Sequence, residues 1–165
     1  MGGVYLRMIT LSDIISILQL ATQVRENAKM SKQYEDEIQR NRNALLIPYI
    51  DAIANSLVEL CLQIQQAPKL IDNGHAGLAM KNILNATRDA SDAIGKSSWR
   101  FSPEHENLMT ELFHSLKNGE DFLDEFDGEI TTESFIGRVL PNCYGDALIG
   151  KARSLLDNFR EIINY

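Results

Sequence analysis

The sequence predicts an all-α fold, and two observations carry this prediction. Apolar residues recur at intervals of three and four along most of the 165 residues, which places them on one face of a helix. No comparable alternation with a period of two is present, as half-buried strands would require. The length and the 44% apolar content fit a single domain over residues 1–165. We therefore expect a four-helix bundle with a short extra helix and a C-terminal bracing helix.

The first two helices are predicted by two apolar runs with Pro48 between them. The second run covers residues 50–64, and the first joins Ile14, Ile17, Ala21, Val24 and Ala28. Pro48 is the only proline between residues 12 and 66, and proline disrupts the interior of a helix. The break between the two helices is therefore predicted near Ser31 or near Asn43.

The third helix is predicted from a run of small residues between Ala79 and Ala93, ending at Gly95 because glycine favours the C-terminal cap. Residues 90–97 also match the phosphate-binding loop pattern permissively, a motif that needs a strand before the loop and a helix after it. Because the helical run passes through these residues, we interpret them as the end of the helix.

The fourth helix has a clear start signal at Ser102, an N-cap residue followed by Pro103 and an acidic first turn. Its apolar residues lead to Gly119, which is predicted to close it. A separate short piece is expected over residues 120–127.

The last third of the chain is predicted to hold two more helices. Thr131 or Thr132 can cap a brief helix that ends before Pro141. The bracing helix is predicted from residue 146 to the terminus by a strict four-three repeat, comprising Leu148, Ala152, Leu155, Phe159 and Ile162.

Negative charge is concentrated in one segment of the chain. The formal net charge is −7, while residues 101–134 alone carry one lysine against ten carboxylates. A chain of this balance lacks the electrostatic basis for nucleic-acid binding. An acidic face that binds a basic partner is instead predicted at Asp121, Asp124, Glu125, Asp127 and Glu129.

The sequence predicts no catalytic residue, no cofactor and no metal site. Cys61 and Cys143 are far apart and are expected to be buried small side chains of a cytoplasmic protein. The turn after Asp127 resembles the second half of an EF-hand loop, but Leu123 stands where the first calcium ligand is needed. At most, weak cation binding is expected there.

Arg100 and His105 have the spacing found in HEPN-type helical ribonucleases, although Phe101 and Pro103 depart from that pattern. We therefore predict that the chain is not an enzyme. The aromatic and basic junction of Trp99, Arg100 and Phe101 is expected to plug one end of the bundle, and the alternative is that it anchors a partner.

The first half of the chain resembles a known family. Residues 9–18 form a small and apolar first helix that runs into a charged stretch, followed by Leu45-Leu46-Ile47-Pro48, the 79–93 run and Phe101. This pattern, over roughly residues 5–126, is similar to the N-terminal bundles of HeLo-type fungal cell-death proteins and mixed-lineage-kinase-like pseudokinases. The resemblance implies a non-enzymatic signalling domain that self-associates and targets membranes through its first helices.

The resemblance also implies where such a membrane contact would lie. The membrane or assembly helix would use Leu11, Ile14, Ile15 and Leu18. Lipid headgroups would meet Arg7, Arg25, Lys29 and Lys32, although acidic residues nearly balance the basic ones in that segment. The alternative is an acidic-faced protein interaction module without membrane activity.

Overall fold

The computed structural model describes residues 11–32 and 45–163, and every regular element in these ranges is helical. The all-α prediction is therefore confirmed. The five long helices are α1 Leu11–Lys32, α2 Ile47–Asp72, α3 Ala76–Ser97, α4 Pro103–Glu125 and α6 Asp146–Ile163. A 3₁₀ turn, Ser98–Arg100, joins α3 to α4. The short helix α5 consists of Thr132–Ser134, a π-helical turn Phe135–Val139, and Leu140–Cys143.

The long helices form a ring around one apolar core. Each of α1 to α4 packs against the next in the chain, and α6 packs against both α1 and α4. The C-terminal helix is thus a fifth wall of the bundle that separates α1 from α4, where a closed four-helix bundle would bring those two helices together. The strict apolar repeat of α6 explains this position, because Leu155, Leu156 and Phe159 are completely buried.

The break between the first two helices was predicted near Ser31 or near Asn43, and residues 33–44 lie outside the described residues. The structure describes α1 up to Lys32 and α2 from Ile47. Pro48 occupies the first turn of α2, where its missing N–H would have no partner in the helix anyway.

Two predicted helix ends are wrong, and both concern a glycine. The helix α3 continues through Gly95 to Ser97, and α4 continues through Gly119 to Glu125, so residues 120–125 of the piece predicted over 120–127 belong to α4. At both positions the missing side chain allows close packing instead. A Cβ atom on Gly119 would lie 2.8 Å from the carbonyl oxygen of Cys143. The position of a glycine in the sequence does not show whether it ends a helix or allows close packing inside one.

The start of α5 follows the prediction, while its end does not. Thr131 caps the helix through a reciprocal pair of hydrogen bonds with Ser134, at 3.1 Å and 2.8 Å. The helix does not end before Pro141, as predicted, but continues to Cys143. The π-helical turn directly before Pro141 widens the helix where the proline ring would clash with the preceding turn.

Candidate functional site

The residues predicted for membrane contact do not form one exposed face of α1. Ile14 is buried in the core, where α1 meets α2 and α6, whereas Leu11 and Leu18 are half-buried. Ile15 is the only one of the four that is exposed. A membrane contact through all four side chains would therefore require the bundle to open.

The predicted lipid-headgroup residues are also not assembled into a basic cluster by the described part of the chain. Arg25 is half-buried, and its guanidinium lies 3.5 Å from Asn55 Oδ1 and 3.7 Å from Glu26 Oε1. Lys29 is exposed, and Lys32 is the last residue of α1. Arg7 lies outside the described residues.

Among the helices described, α2 is the one that is long and apolar enough to cross a membrane. Half of its apolar window is buried inside the bundle, and its buried side chains include Ile50, Ile53, Leu57 and Ile64. The core helix of a bundle has the same length and composition, so α2 carries no separate evidence for a membrane span.

The predicted acidic face is assembled at the C-terminal end of α4 and in the turn that follows. All five predicted carboxylates are exposed, namely Asp121, Asp124, Glu125, Asp127 and Glu129. The last turn of α4 contains no basic residue. Because the C-terminal end of a helix already carries partial negative charge, carboxylates at this end repel one another and the helix dipole.

The acidic face is anchored by an ion-pair network that the sequence did not predict. Arg88 on α3 donates hydrogen bonds to Glu120 at 2.8 Å and to Asp124 at 3.0 Å, and Lys117 donates to Glu120 at 3.2 Å. The hydrogen bond from Arg88, followed by Lys117, lowers the pKa of Glu120. The network joins α3 to α4 and leaves Asp121, Glu125, Asp127 and Glu129 without an ion pair among the described residues.

A second surface feature is a cleft at the opposite end of α4, which we call the end cleft. It lies where α2 begins, α3 ends, α4 begins and α6 ends, and its volume is about 680 Å³. The lining residues are Leu45, Leu46, Tyr49, Trp99, Arg100, Phe101, Ser102, Pro103, His105 and Ile162.

The three residues of the aromatic and basic junction have different roles at this cleft. Phe101 is buried and stacks on Phe159 of α6 with ring centroids 5.4 Å apart, so Phe101 plugs the bundle as expected. Trp99 is 63% exposed, so the plug interpretation is wrong for this residue. Between them, Arg100 places its Cζ 4.2 Å from the centroid of the Trp99 ring and 4.4 Å from that of Tyr49.

Arg100 and His105, the residues behind the ribonuclease resemblance, line the same end cleft. His105 Nδ1 lies 3.2 Å from Ser102 Oγ. The intervening Phe101 is buried, and Pro103 begins α4, so the two residues lie on different helical elements.

The two cysteines are free thiols, and neither has the lowered pKa that an activated nucleophile needs. Cys61 and Cys143 are both buried, and burial raises the pKa of each thiol to about 12. Residues 90–97 lie within α3, in agreement with their interpretation as a helix end. Within the described ranges no three His, Cys, Asp or Glu side chains form a group that could hold a metal ion.

Comparisons of the chain with protein family models, with curated proteins and with solved structures found no match. Proposals about function therefore rest on the acidic face and the end cleft.

Proposed function

We propose that this helical bundle is a non-enzymatic protein interaction module whose acidic face binds a basic partner. The observation that carries the proposal is the group of exposed carboxylates at the C-terminal end of α4, whose last turn contains no basic residue. A cationic partner would relieve both the mutual repulsion of the carboxylates and their repulsion by the helix dipole.

Part of the acidic face is held in place, and part is free to bind. Arg88 pairs with Asp124 and Glu120, and these ion pairs link the end of α4 to α3. The four remaining carboxylates project from α4 and the following turn without a cation among the described residues. Ionic contacts to such exposed groups are screened by salt, so the proposed binding weakens as ionic strength rises.

The test replaces the four unpaired carboxylates with their amides: Asp121→Asn, Glu125→Gln, Asp127→Asn and Glu129→Gln. Asp124 is kept, because its loss would break the contact with Arg88. Binding of a lysine-rich peptide is measured by calorimetry at low and high salt. We expect the variant to bind more weakly and with a smaller dependence on salt.

The matched control removes four exposed carboxylates elsewhere: Glu59→Gln, Asp92→Asn, Glu111→Gln and Glu161→Gln. Both variants change the net charge equally. Equal weakening in both would show that the peptide responds only to total charge, and unchanged binding in the first variant would contradict the proposal directly.

A signalling bundle of the cell-death type is our second proposal, in which the chain self-associates and contacts membranes through α1. The arrangement of α6 supports it, because α1 packs mainly against α2 and α6. Displacement of α6 would therefore uncover the apolar face of α1, including Ile14.

Sedimentation with anionic and neutral vesicles tests this second proposal, with light scattering to report the oligomeric state. Ile15→Asp changes an exposed side chain of α1 and should weaken vesicle binding without unfolding the bundle. Gln19→Asp, on an exposed position one turn further along α1, is the matched control. A chain that stays monomeric and ignores both kinds of vesicle, whether intact or with α6 deleted, would contradict the proposal.

A further inference from the structure

The end cleft has the dimensions of a small-molecule site, and both apolar and polar groups line it. Its volume of about 680 Å³ falls within the range of roughly 300–1,000 Å³ that is usual for such sites. The two most exposed large apolar side chains of the described residues, Leu45 at 73% and Trp99 at 63%, both line it. Exposed apolar surface that is grouped around a concave site indicates binding.

The cleft also presents one cation without an anionic partner. No carboxylate of the described residues lies within 4.0 Å of the Arg100 guanidinium. Contacts with the rings of Trp99 and Tyr49 fix its position instead. A guanidinium that is held by two rings keeps its N–H donors available for the planar oxygens of a carboxylate.

The remaining polar groups of the cleft suit an anion as well. The lining contains Arg100 and His105 but no aspartate or glutamate, although acidic residues outnumber basic ones in the whole chain. The hydroxyl group of Ser102 makes no hydrogen bond to a backbone N–H group of the first turn of α4 and lies 3.2 Å from Nδ1 of His105 instead. The first turn also carries Glu104 and Glu106, and both lie outside the lining. The indole N–H of Trp99 is already donated to the carbonyl of Lys96 at 3.1 Å, which leaves its ring for apolar contact.

We propose that the end cleft binds a small organic anion with an apolar body and one carboxylate group. Arg100 binds the carboxylate, and the apolar body lies against Trp99, Leu45 and Ile162. This site is separate from the acidic face and does not depend on the function proposed for that face.

Trp99 provides a direct test, because it is the only tryptophan in the chain. The intact chain is titrated with octanoate, and the emission of Trp99 is followed together with the heat of binding. Octanol and octyltrimethylammonium serve as neutral and cationic ligands that also contain a linear eight-carbon chain. We expect saturable binding of octanoate and at least about tenfold weaker binding of the other two.

Variants identify the residue that selects the anion. Arg100→Gln should weaken octanoate binding by about tenfold or more, because a charge-assisted hydrogen bond is lost. Arg100→Lys keeps the charge but loses the planar donor group, so an intermediate affinity is expected. Arg153→Gln removes an exposed arginine of α6 outside the lining, and it should leave binding unchanged. Calorimetry serves as the common readout, since replacing Arg100 also alters the surroundings of Trp99.

Each alternative result has a defined meaning. Equal binding of all three ligands would show an apolar groove without anion selection and would overturn the proposal. Failure of octanoate to bind a chain that is folded by circular dichroism would also overturn it. Binding of a short oligoribonucleotide in the absence of octanoate binding would assign the cleft to nucleic acid instead.

Discussion

Two aromatic residues at different places in the bundle, Tyr144 and Trp99, show how unevenly it is packed. Tyr144 is completely buried beside the contact between α4 and α5, where Gly119 meets the carbonyl group of Cys143. Trp99 is 63% exposed at the rim of the end cleft. The hydroxyl group of Tyr144 pairs with Thr87 inside the core, whereas Trp99 holds Arg100 at the surface.

The difference shows which part of the bundle stabilises the fold and which part can bind a ligand. Side chains that fill the core leave no space for a ligand, and changes to them destabilise the fold. Side chains that are exposed at the rim of an open cleft, such as Trp99, contribute little to stability and remain available for contact. Substitutions in the two regions should therefore have separate effects, on unfolding in one and on binding in the other.

Among the substitutions in the packed region around Tyr144, the largest effect on stability is expected for Gly119→Ala. The added Cβ would approach a backbone oxygen to 2.8 Å, so α4 and α5 must move apart. We expect the free energy of unfolding, measured with urea, to fall by about 1–3 kcal/mol. The control is Gly150→Ala in α6. An added Cβ would meet no atom of a neighbouring residue within 4 Å there, so the free energy of unfolding should rise by up to about 1 kcal/mol. Equal effects at the two glycines would contradict close packing at Gly119.

A double-mutant cycle at Thr87 and Tyr144 should give the next largest effect. The hydroxyl group of Thr87 donates to the carbonyl of Ile83 at 2.7 Å, so Tyr144 must be the donor in its 2.7 Å bond with Thr87. Tyr144→Phe should cost about 1 kcal/mol, whereas Thr87→Val leaves a buried hydroxyl without an acceptor and should cost about 1–3 kcal/mol. The double variant should cost less than the sum, and strict additivity would refute the pairing.

Alkaline pH should destabilise the buried region. Burial raises the pKa values of Cys61 and Cys143 to about 12, while unfolded thiols ionise near a pKa of about 8.5. The folded state therefore binds these protons more tightly, and the free energy of unfolding should fall as pH rises through this window. Urea unfolding followed across the window measures this slope, which should be shallower in Cys61→Ala/Cys143→Ala. Rapid reaction of the native thiols with Ellman's reagent would contradict their burial.

The smallest effect on stability is expected for Trp99→Ala. The side chain is mostly exposed, so the free energy of unfolding should change by no more than about 0.5 kcal/mol. Phe101→Ala, two residues away, is the contrasting variant, and it should cost about 3 kcal/mol or more because that ring is buried against Phe159. Circular dichroism during urea unfolding measures both. A large loss for Trp99→Ala would place this residue in the core.

The core could be predicted from the sequence because helical spacing determines which face of each helix is apolar. Ile14, Ile17 and Ala21 follow that spacing and are all buried. The roles of Gly95 and Gly119 could not be predicted, since they depend on which side chain or backbone the next helix presents. The same spacing does not reveal how many helices surround the core, and α6 was expected to brace a four-helix bundle.

The surfaces were only partly predictable. Exposure of the acidic residues after Glu120 follows from the run of charges, but the contact of Glu120 with Arg88 spans 32 positions and has no local signal. Trp99 and Phe101 are neighbours of similar character in sequence, and only the turn Ser98–Arg100 directs one outward and the other inward. The end cleft could therefore not be predicted from a sequence motif, because it depends on the fold.

The central claim is that the open end of the bundle attracts anions although the chain carries a net charge of −7. Quenching of Trp99 fluorescence by iodide and by caesium measures this most directly, because both ions probe the surroundings of one side chain. Relative to N-acetyltryptophanamide, we predict that iodide is favoured over caesium in the native chain and that Arg100→Gln removes this preference. Preferential quenching by caesium in the native chain would show that the overall negative charge dominates at the cleft and would contradict the account.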